Sequence, residues 1–304
     1  MSVHRLTTAT VGVPDVAANV AFYEEFGLTQ TAPGVLATRD GGDQLRLVPA
    51  ERRRLVTLGI GVDDPDDLAR IAANVSELGL ATTPRPGAVC VVDPGTGVEV
   101  VVAVAARISS TDPVTPPATN APGRWDRQNT RSTGLDRDGP VQPRKLGHVV
   151  VGSTDAEFSH RLFVEGLGFK VSDHVEGHAS FLRCSTDHHN VLLQASPIHF
   201  LHHTSWQVDD VDEIGRGART LLDKDPGRNV WGLGRHHIGS NFFWYLRDPA
   251  GNFAEYYSDL DVIVDDELWQ PGTFNDMRGL YAWGPDVPAE FLLPNDLADL
   301  MSGA

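Results

Sequence analysis

One structural plan occurs four times in this chain, and that repetition limits the fold more than any single motif does. Leu6–Val11 reads as a strand and leads through Pro14-Asp15 into Val16–Phe26, where Val16, Val20, Tyr23 and Phe26 recur at helical spacing before Gly27. Leu146–Val151 does the same, and the helix after Asp155 carries Phe158, Leu162 and Phe163 before Gly166. Two further strands, Leu55–Val62 and Leu201–Val208, each run into Val-Asp-Asp and then an amphipathic helix. Short strand-like runs follow, broken at the turns Asp93-Pro94-Gly95-Thr96-Gly97 and Asp248-Pro249-Ala250-Gly251-Asn252. The expected architecture is α+β: four βαβββ modules, paired into two domains whose curled sheets each surround a hollow.

A stretch from 107 to 145, rich in Pro, Ser, Thr and Gly and without hydrophobic periodicity, separates the halves. The domains are therefore expected at 1–106, which lacks metal ligands, and 146–260, with 107–145 as linker and an acidic tail over 261–304. Trp125 suggests that part of the linker packs on a neighbour, and the charge of the tail places it across the surface. A net charge of −16 opposes a nucleic-acid-binding role, which needs clustered Lys and Arg. Cys90 and Cys184 are the only cysteines, and they form no metal-binding spacing. The longest apolar run, around Val98–Ala106, contains Glu99 and is too short to cross a membrane. The N-terminus lacks an apolar signal core. A cytoplasmic protein is expected.

Every one of the twelve histidines except His4 falls between His148 and His237. Imidazole is the commonest metal-binding side chain and the one that exchanges protons near neutrality. The module register separates the meaningful histidines from the rest. His203 occupies the place that Thr57 has in the first half, counted back from Val-Asp-Asp, and His148 the place of Thr8. The Asp-Pro turns set Glu255 opposite an apolar stretch near Val100, with Glu99 one residue from that register and still open by counting. Two imidazoles and one carboxylate on separate strands make a triad that leaves positions free, as at non-haem Fe(II) oxygenase sites. His189, His236 and Tyr245 are expected in a layer around it, with His188 and His237 as the neighbours that counting does not separate from them. His202 is expected on the opposite strand face from His203 and is assigned no role. His4, His160, His174, His178 and His199 read as surface or packing residues.

The order His148, His189, His203, His236, Tyr245, Glu255 resembles the type I extradiol catechol dioxygenases of the vicinal oxygen chelate superfamily. Residues 232–257, Gly-Leu-Gly-Arg-His-His through Asp-Pro-Ala-Gly-Asn-Phe-Ala-Glu-Tyr-Tyr, are similar to that family's signature region, and Leu280–Pro285 also resembles it. The resemblance implies that His148, His203 and Glu255 hold Fe(II), or Mn(II). It further implies that His189 is the acid–base residue beside O2 and that His236 and Tyr245 contact a bound catechol. The expected partners are a catechol-type substrate and O2, in a homo-oligomer, without nucleic acid or membrane. Two other readings share the modules. A glyoxalase-type isomerase would close a fourth metal position, here near Gln194, and a metal-free binding protein would need no aligned polar set.

Overall fold

Each of the four repeats folds as strand, helix and three strands, in a computed structural model that describes residues 3–110, 112, 117–275, 279–294 and 296. The first is β1 (Val3–Val13), α1 (Val16–Glu25), β2 (Thr29–Ala32), β3 (Val35–Thr38) and β4 (Gly42–Pro49). The second is β5 (Arg54–Val62), α2 (Pro65–Glu77), β6 (Thr83–Arg85), β7 (Ala88–Val92) and β8 (Glu99–Val104). A two-stranded hairpin, β9 (Asn120–Ala121) and β10 (Arg124–Trp125), interrupts the connecting segment. The third repeat is β11 (Lys145–Ser153), α3 (Ala156–Arg161), β12 (Lys170–Val175), β13 (Ala179–Arg183) and β14 (Val191–Ala195). The fourth is β15 (Phe200–Gln207), α4 (Val211–Leu222), β16 (Asn229–Arg235), β17 (Phe242–Arg247) and β18 (Phe253–Ser258), and the chain ends with β19 (Gly272–Phe274) and α5 (Ala289–Leu292).

The aspartates of the repeat are helix caps. Asp15, Asp64, Asp155 and Asp210 each precede a helix, and each side chain accepts a backbone N–H of its first turn. A carboxylate there satisfies a donor that the helix leaves unpaired and favours the positive end of its dipole. Helix α2 then buries Leu68, Ile71 and Val75, one face at helical spacing. Pro65 opens that helix at a position where a missing N–H costs nothing.

Opening strands sit at the centre of each sheet. The first half forms one sheet of order β2-β3-β4-β1-β5-β8-β7-β6, and the second one of order β16-β17-β18-β15-β11-β14-β13-β12-β19. The central pairs, β1 with β5 and β11 with β15, are antiparallel, while each module's closing strand joins its opening strand in parallel. Register is the same in both halves. Thr10 faces Thr57 and Thr8 faces Gly59, as Val150 faces His203 and His148 faces Ser205. Gly59 then lies beside Val101, as Ser205 lies beside Glu255. The counterpart of Glu255 is therefore Val101, while Glu99 corresponds to Phe253 and is ion-paired with Arg85.

The halves dock by exchanging equivalent contacts. Ser159 of α3 donates to Asp93 in the first half's Asp-Pro turn, and Tyr23 of α1 donates to Asp248 in the second half's turn. Phe26 stacks on Tyr256 with ring centroids 3.8 Å apart, and the Tyr256 hydroxyl donates to the Phe26 carbonyl. Arg144 bridges Asp40 of the first half and Asp209 of the second.

Part of the linker does pack on a neighbour, though not through Trp125, which is 63% exposed on its small hairpin: Val141 is buried and Arg137 pairs with Asp210. Beyond 261 the chain does more than cross the surface: β19 extends the second sheet beside β12, and Phe291 is buried among Trp231, Tyr245 and Phe253. Charge sets the average exposure of a segment, but one aromatic side chain can still anchor it in a core. Of the linker and tail, residues 111, 113–116, 276–278, 295 and 297–304 lie outside the described residues.

Candidate metal centre and active site

Three strands of the second sheet bring His148 (β11), His203 (β15) and Glu255 (β18) to one point. Their ligand atoms all lie within 4.8 Å of one another, and all three residues are buried. His148 Nε2 stands 3.0 Å and His203 Nε2 3.5 Å from Glu255 Oε2, and the two nitrogens are 3.3 Å apart. Adjacent ligands on an octahedral ion with bonds of about 2.1 Å stand roughly 3 Å apart, so the triangle has the size of one octahedral face. Glu255 Oε2 is buried and makes no hydrogen bond despite its closeness to both imidazoles. A buried carboxylate oxygen without a donor is costly unless a cation completes it. The donor set and the orphaned oxygen both fit Fe(II) or Mn(II).

Local backbone irregularities aim these side chains. The pairing of β11 with β15 slips once around Gly147 and once at His202. A Cβ on Gly147 would stand 2.0 Å from the Tyr257 hydroxyl, so only glycine lets Tyr257 lie against His148. The second slip makes His202 the extra residue of a β-bulge, a device that re-aims a side chain. Strand alternation predicted that His202 points away. Instead its ring lies beside that of His203, with their Nδ1 atoms 2.7 Å apart, and it lines the same cavity.

The surrounding layer is built of hydrogen-bonded pairs. His189, not His188, lines the cavity, with its ring 4.2 Å from that of His148. Behind it His188 Nδ1 lies 3.1 Å from His189 Nδ1, and His188 Nε2 lies 3.0 Å from Asp173. The Asp173 carboxylate accepts the His188 Nε2–H, so His188 Nδ1 accepts from His189 Nδ1–H and the His189 Nε2 lone pair is left free. His236, not His237, lines the cavity, while His237 is exposed against Phe274. His236 Nδ1 donates to the Leu280 carbonyl at 2.6 Å, so its Nε2 accepts from the Tyr245 hydroxyl at 2.9 Å. Asn241 donates to Glu255 Oε1 at 3.3 Å.

Burial sets the protonation of these groups. It pushes His189 and His203 well below the ordinary imidazole value, reinforced by His148 and His188 for the first and by His202 and His148 for the second. Burial lowers His236 as well, and takes His202 down to about 4. Burial alone would raise Glu255, but the imidazoles of His148 and His236 outweigh it and hold the carboxyl below its usual range. Burial and Glu255 together hold Tyr245 well above the ordinary phenol value. The result is a set of imidazoles lowered by burial, at His189, His202, His203 and His236, around a carboxyl held below its usual range.

These residues line a cavity of about 440 Å³. Its remaining wall is largely apolar, with Val150, Phe181, Leu192, Ile238, Leu280 and Phe291. Gln194, the alternative fourth ligand, lines the same cavity. Of the aromatic residues after His236, Phe243 packs beside His236 and Tyr245, whereas Phe242 and Trp244 lie against the main core. Phe291, Trp231 and Asp173 were not legible as site residues. Only the resemblance of Leu280–Pro285 to the family hinted that the tail takes part.

Comparison with known proteins agrees with this geometry. The profile of the Glyoxalase/Bleomycin resistance protein/Dioxygenase superfamily matches residues 145–256, the half that holds the site. Metapyrocatechase 2 of Cupriavidus necator is 32% identical over 96% of this chain and 92% of its own length. The manganese-dependent 2,3-dihydroxybiphenyl 1,2-dioxygenase of Geobacillus genomosp. 3 is 28% identical over 48% of this chain and 50% of its own. Among solved structures, the Mn(II)-bound glyoxalase of Novosphingobium aromaticivorans has a TM-score of 0.74 and 25% identity, covering 94% of each chain. Homoprotocatechuate 2,3-dioxygenase of Brevibacterium fuscum, in complex with 3,4-dihydroxyphenylacetate, has a TM-score of 0.76 at 20% identity over 96% of this chain and 92% of its own, a likeness of fold. The chain belongs to the type I extradiol catechol dioxygenase family of the vicinal oxygen chelate superfamily.

Proposed function

We propose that this protein cleaves the ring of an uncharged catechol outside its two hydroxyl groups, using Fe(II) or Mn(II) held by His148, His203 and Glu255. The observation that carries the reading is the buried three-atom triangle facing a cavity that His189, His236 and Tyr245 also line. Relatives named as manganese-dependent and iron-dependent extradiol dioxygenases support the choice of metals. When bound, the ion supplies a Lewis-acidic centre that gathers both catechol oxygens and O2 at adjacent positions. The reaction needs no further reductant, because the two ring carbons whose bond breaks are oxidised as both atoms of O2 enter the product.

The chain's own groups manage protons and water. His189 lines the cavity with its Nε2 lone pair free, so it can take a proton from a substrate hydroxyl and later return it to oxygen. Its Nδ1–H is committed to His188, whose imidazole leans on Asp173, so proton uptake leaves a cation backed by a carboxylate. The Tyr245 hydroxyl spends its proton on His236 Nε2, 2.9 Å away, and its oxygen remains able to accept from a substrate hydroxyl. Phe181, Leu192 and Phe291 exclude water along the ring face.

Charge narrows the substrate class. Among the described residues that line the cavity there is no Lys or Arg, so a carboxylate-bearing catechol would find no counter-ion among them, at high cost. The glyoxalase alternative draws on the structural likeness to the Mn(II)-bound glyoxalase and would take Gln194, which lines the same cavity, as its fourth ligand. The same reading carries the division into 1–106, 107–145, 146–260 and 261–304 and a cytoplasmic homo-oligomer. Two buried free cysteines suit a reducing compartment, and among the described residues no helix is long and apolar enough to cross a membrane.

The test is anaerobic loading with Fe(II) or Mn(II), followed by air and a panel of neutral and carboxylated catechols. We expect yellow ring-fission products from neutral catechols, with kcat/KM at least about tenfold lower for carboxylated ones, one buried unpaired charge costing more than 1.4 kcal/mol. A metal-loaded enzyme that opens no catechol would remove the proposal. Equal turnover of charged and neutral substrates would remove the substrate class.

A further inference from the structure

We propose that His202 and the backbone carbonyl of Phe291 fix the ring tautomer of His203, preorganising it as a metal ligand; this rests on the metal-centre reading above. His202 Nε2 lies 2.7 Å from the Phe291 carbonyl oxygen, and His202 Nδ1 lies 2.7 Å from His203 Nδ1. A carbonyl oxygen only accepts, so His202 carries its proton on Nε2 and presents the Nδ1 lone pair. His203 Nδ1–H donates to that lone pair, and His203 Nε2 is left unprotonated. That nitrogen is the one aimed at His148 and Glu255. The opposite arrangement would put a proton on His203 Nε2 and block the ligand position.

Three features make the pair a built device. The strand bulge that brings His202 beside His203 is the same slip that breaks regular pairing with β11. Both rings and Phe291 are about 5% exposed, so water does not substitute for either partner. Phe291 also packs edge-on against the His202 ring at 4.7 Å, which holds the carbonyl's residue against the imidazole it bonds. By contrast, His148 Nδ1 is buried with no hydrogen-bond partner among the described residues. Of the two imidazole ligands, only His203 has its outer nitrogen fixed.

The relay makes the terminal segment part of the metal centre. Phe291 is held in place from both sides: Glu290 pairs with Arg247, and Asp296 pairs with Arg53 of the first half. An arginine in the half without metal ligands thus anchors the segment whose carbonyl orders a metal ligand in the other. His202 is a positioning residue in this scheme, acting on the metal through His203.

The experiment uses the full chain and Mn(II) alone as probe. In metal-free protein with 15N-labelled histidine, NMR should find the His203 proton on Nδ1 and the His202 proton on Nε2. A proton on His203 Nε2 overturns the proposal, and this measurement needs no variant to fold. His202→Phe should weaken Mn(II) binding about 10- to 100-fold, the usual loss when a ligand's outer hydrogen bond is removed. His202→Gln, whose amide can accept from His203 and donate to Phe291, should recover most of that loss. Wild-type affinity in a folded His202→Phe, or no recovery in a folded His202→Gln, overturns the relay. Wild-type protein that binds neither Mn(II) nor Fe(II) overturns instead the metal-centre reading beneath it.

Discussion

The two halves share one scaffold in one register, yet among the described residues only the second gathers a cluster able to hold a metal. At the crossing of the opening strands, the first half has Thr8 and Thr57 where the second has His148 and His203. At the closing strand it has Val101 where the second has Glu255. Convergence of strands is therefore supplied by topology and is present twice, while chemistry is supplied by three side chains and is present once. The first half is not idle, since its helix α1 and Arg53 support the second through Phe26, Tyr23 and the terminal segment.

The largest effect should separate the two carboxylates that counting left in competition. Glu255→Gln removes the charge of a fully buried ligand without changing its shape. We expect loss of bound metal and at least about a thousandfold loss of ring cleavage, in line with removing a group on which the whole constellation depends. Glu99→Gln only breaks a partly exposed pair with Arg85 and should leave metal content and turnover unchanged. Metal analysis of both purified variants reads the difference. Retained iron in Glu255→Gln, or lost iron in Glu99→Gln, would break the comparison at its centre.

What sequence reveals about these halves follows from what repeats. Strand periodicity, aspartate caps and Asp-Pro turns are local, so the modules and the places of His148, His203 and Glu255 could be read by alignment of the chain with itself. His202 could not, because a single inserted residue in a strand reverses every facing argument beyond it and leaves no compositional trace. Asp173 and Phe291 were hidden for a different reason. Each reaches the site through a long-range contact, Asp173 to His188 and Phe291 to His202, that no local pattern encodes. Glu99 stayed open for want of a register that only the parallel pairing of β5 with β8 supplies.

A smaller difference concerns the turns through which the halves grip each other. Both aspartates are buried, but Asp93 accepts the hydroxyls of Ser159 and Thr96 and the Gly95 N–H, whereas Asp248 accepts from Tyr23, Asn252 and Ala250. Burial pushes the Asp248 carboxyl up to about 6, against the pull of the Asn252 donors and the Arg53 charge. Between about pH 4 and pH 6 the native state therefore keeps a proton that the unfolded chain has released. Stability falls as pH rises through that window and is flat above it. Asp248→Asn has no charge to bury and should lose this slope. Its stability relative to wild type should rise from pH 4.5 to pH 7 by about 2 kcal/mol at most, the roughly 1.5 pH units between pH 4.5 and the native value at 1.36 kcal/mol each. Hydrogen bonds lost with the substitution are lost at both pH values and cancel from the difference. Urea denaturation at the two pH values measures it, and an unchanged gap would show that Asp248 does not titrate with folding.

The smallest effect should come from the outermost residue of the second half's proton relay. Asp173 lies behind His188, which lies behind His189, so it is two imidazoles away from the reacting groups. Its second oxygen accepts the Gly272 N–H of β19, which ties the relay to the terminal segment that the first half has no equivalent of. Asp173→Asn keeps an oxygen for the His188 Nε2–H but removes the charge that stabilises a protonated His189. Acid–base assistance as a whole is worth about a hundred- to ten-thousandfold, and a group acting through two rings should carry a minor share. We expect kcat to fall roughly 10-fold, with metal content unchanged and catechol KM within about twofold, because neither ligand nor cavity wall is touched. The split between kcat and KM is what distinguishes the relay from a packing role. A variant that loses metal, or whose defect lies in KM, would mean that Asp173 shapes the site and does not serve its proton.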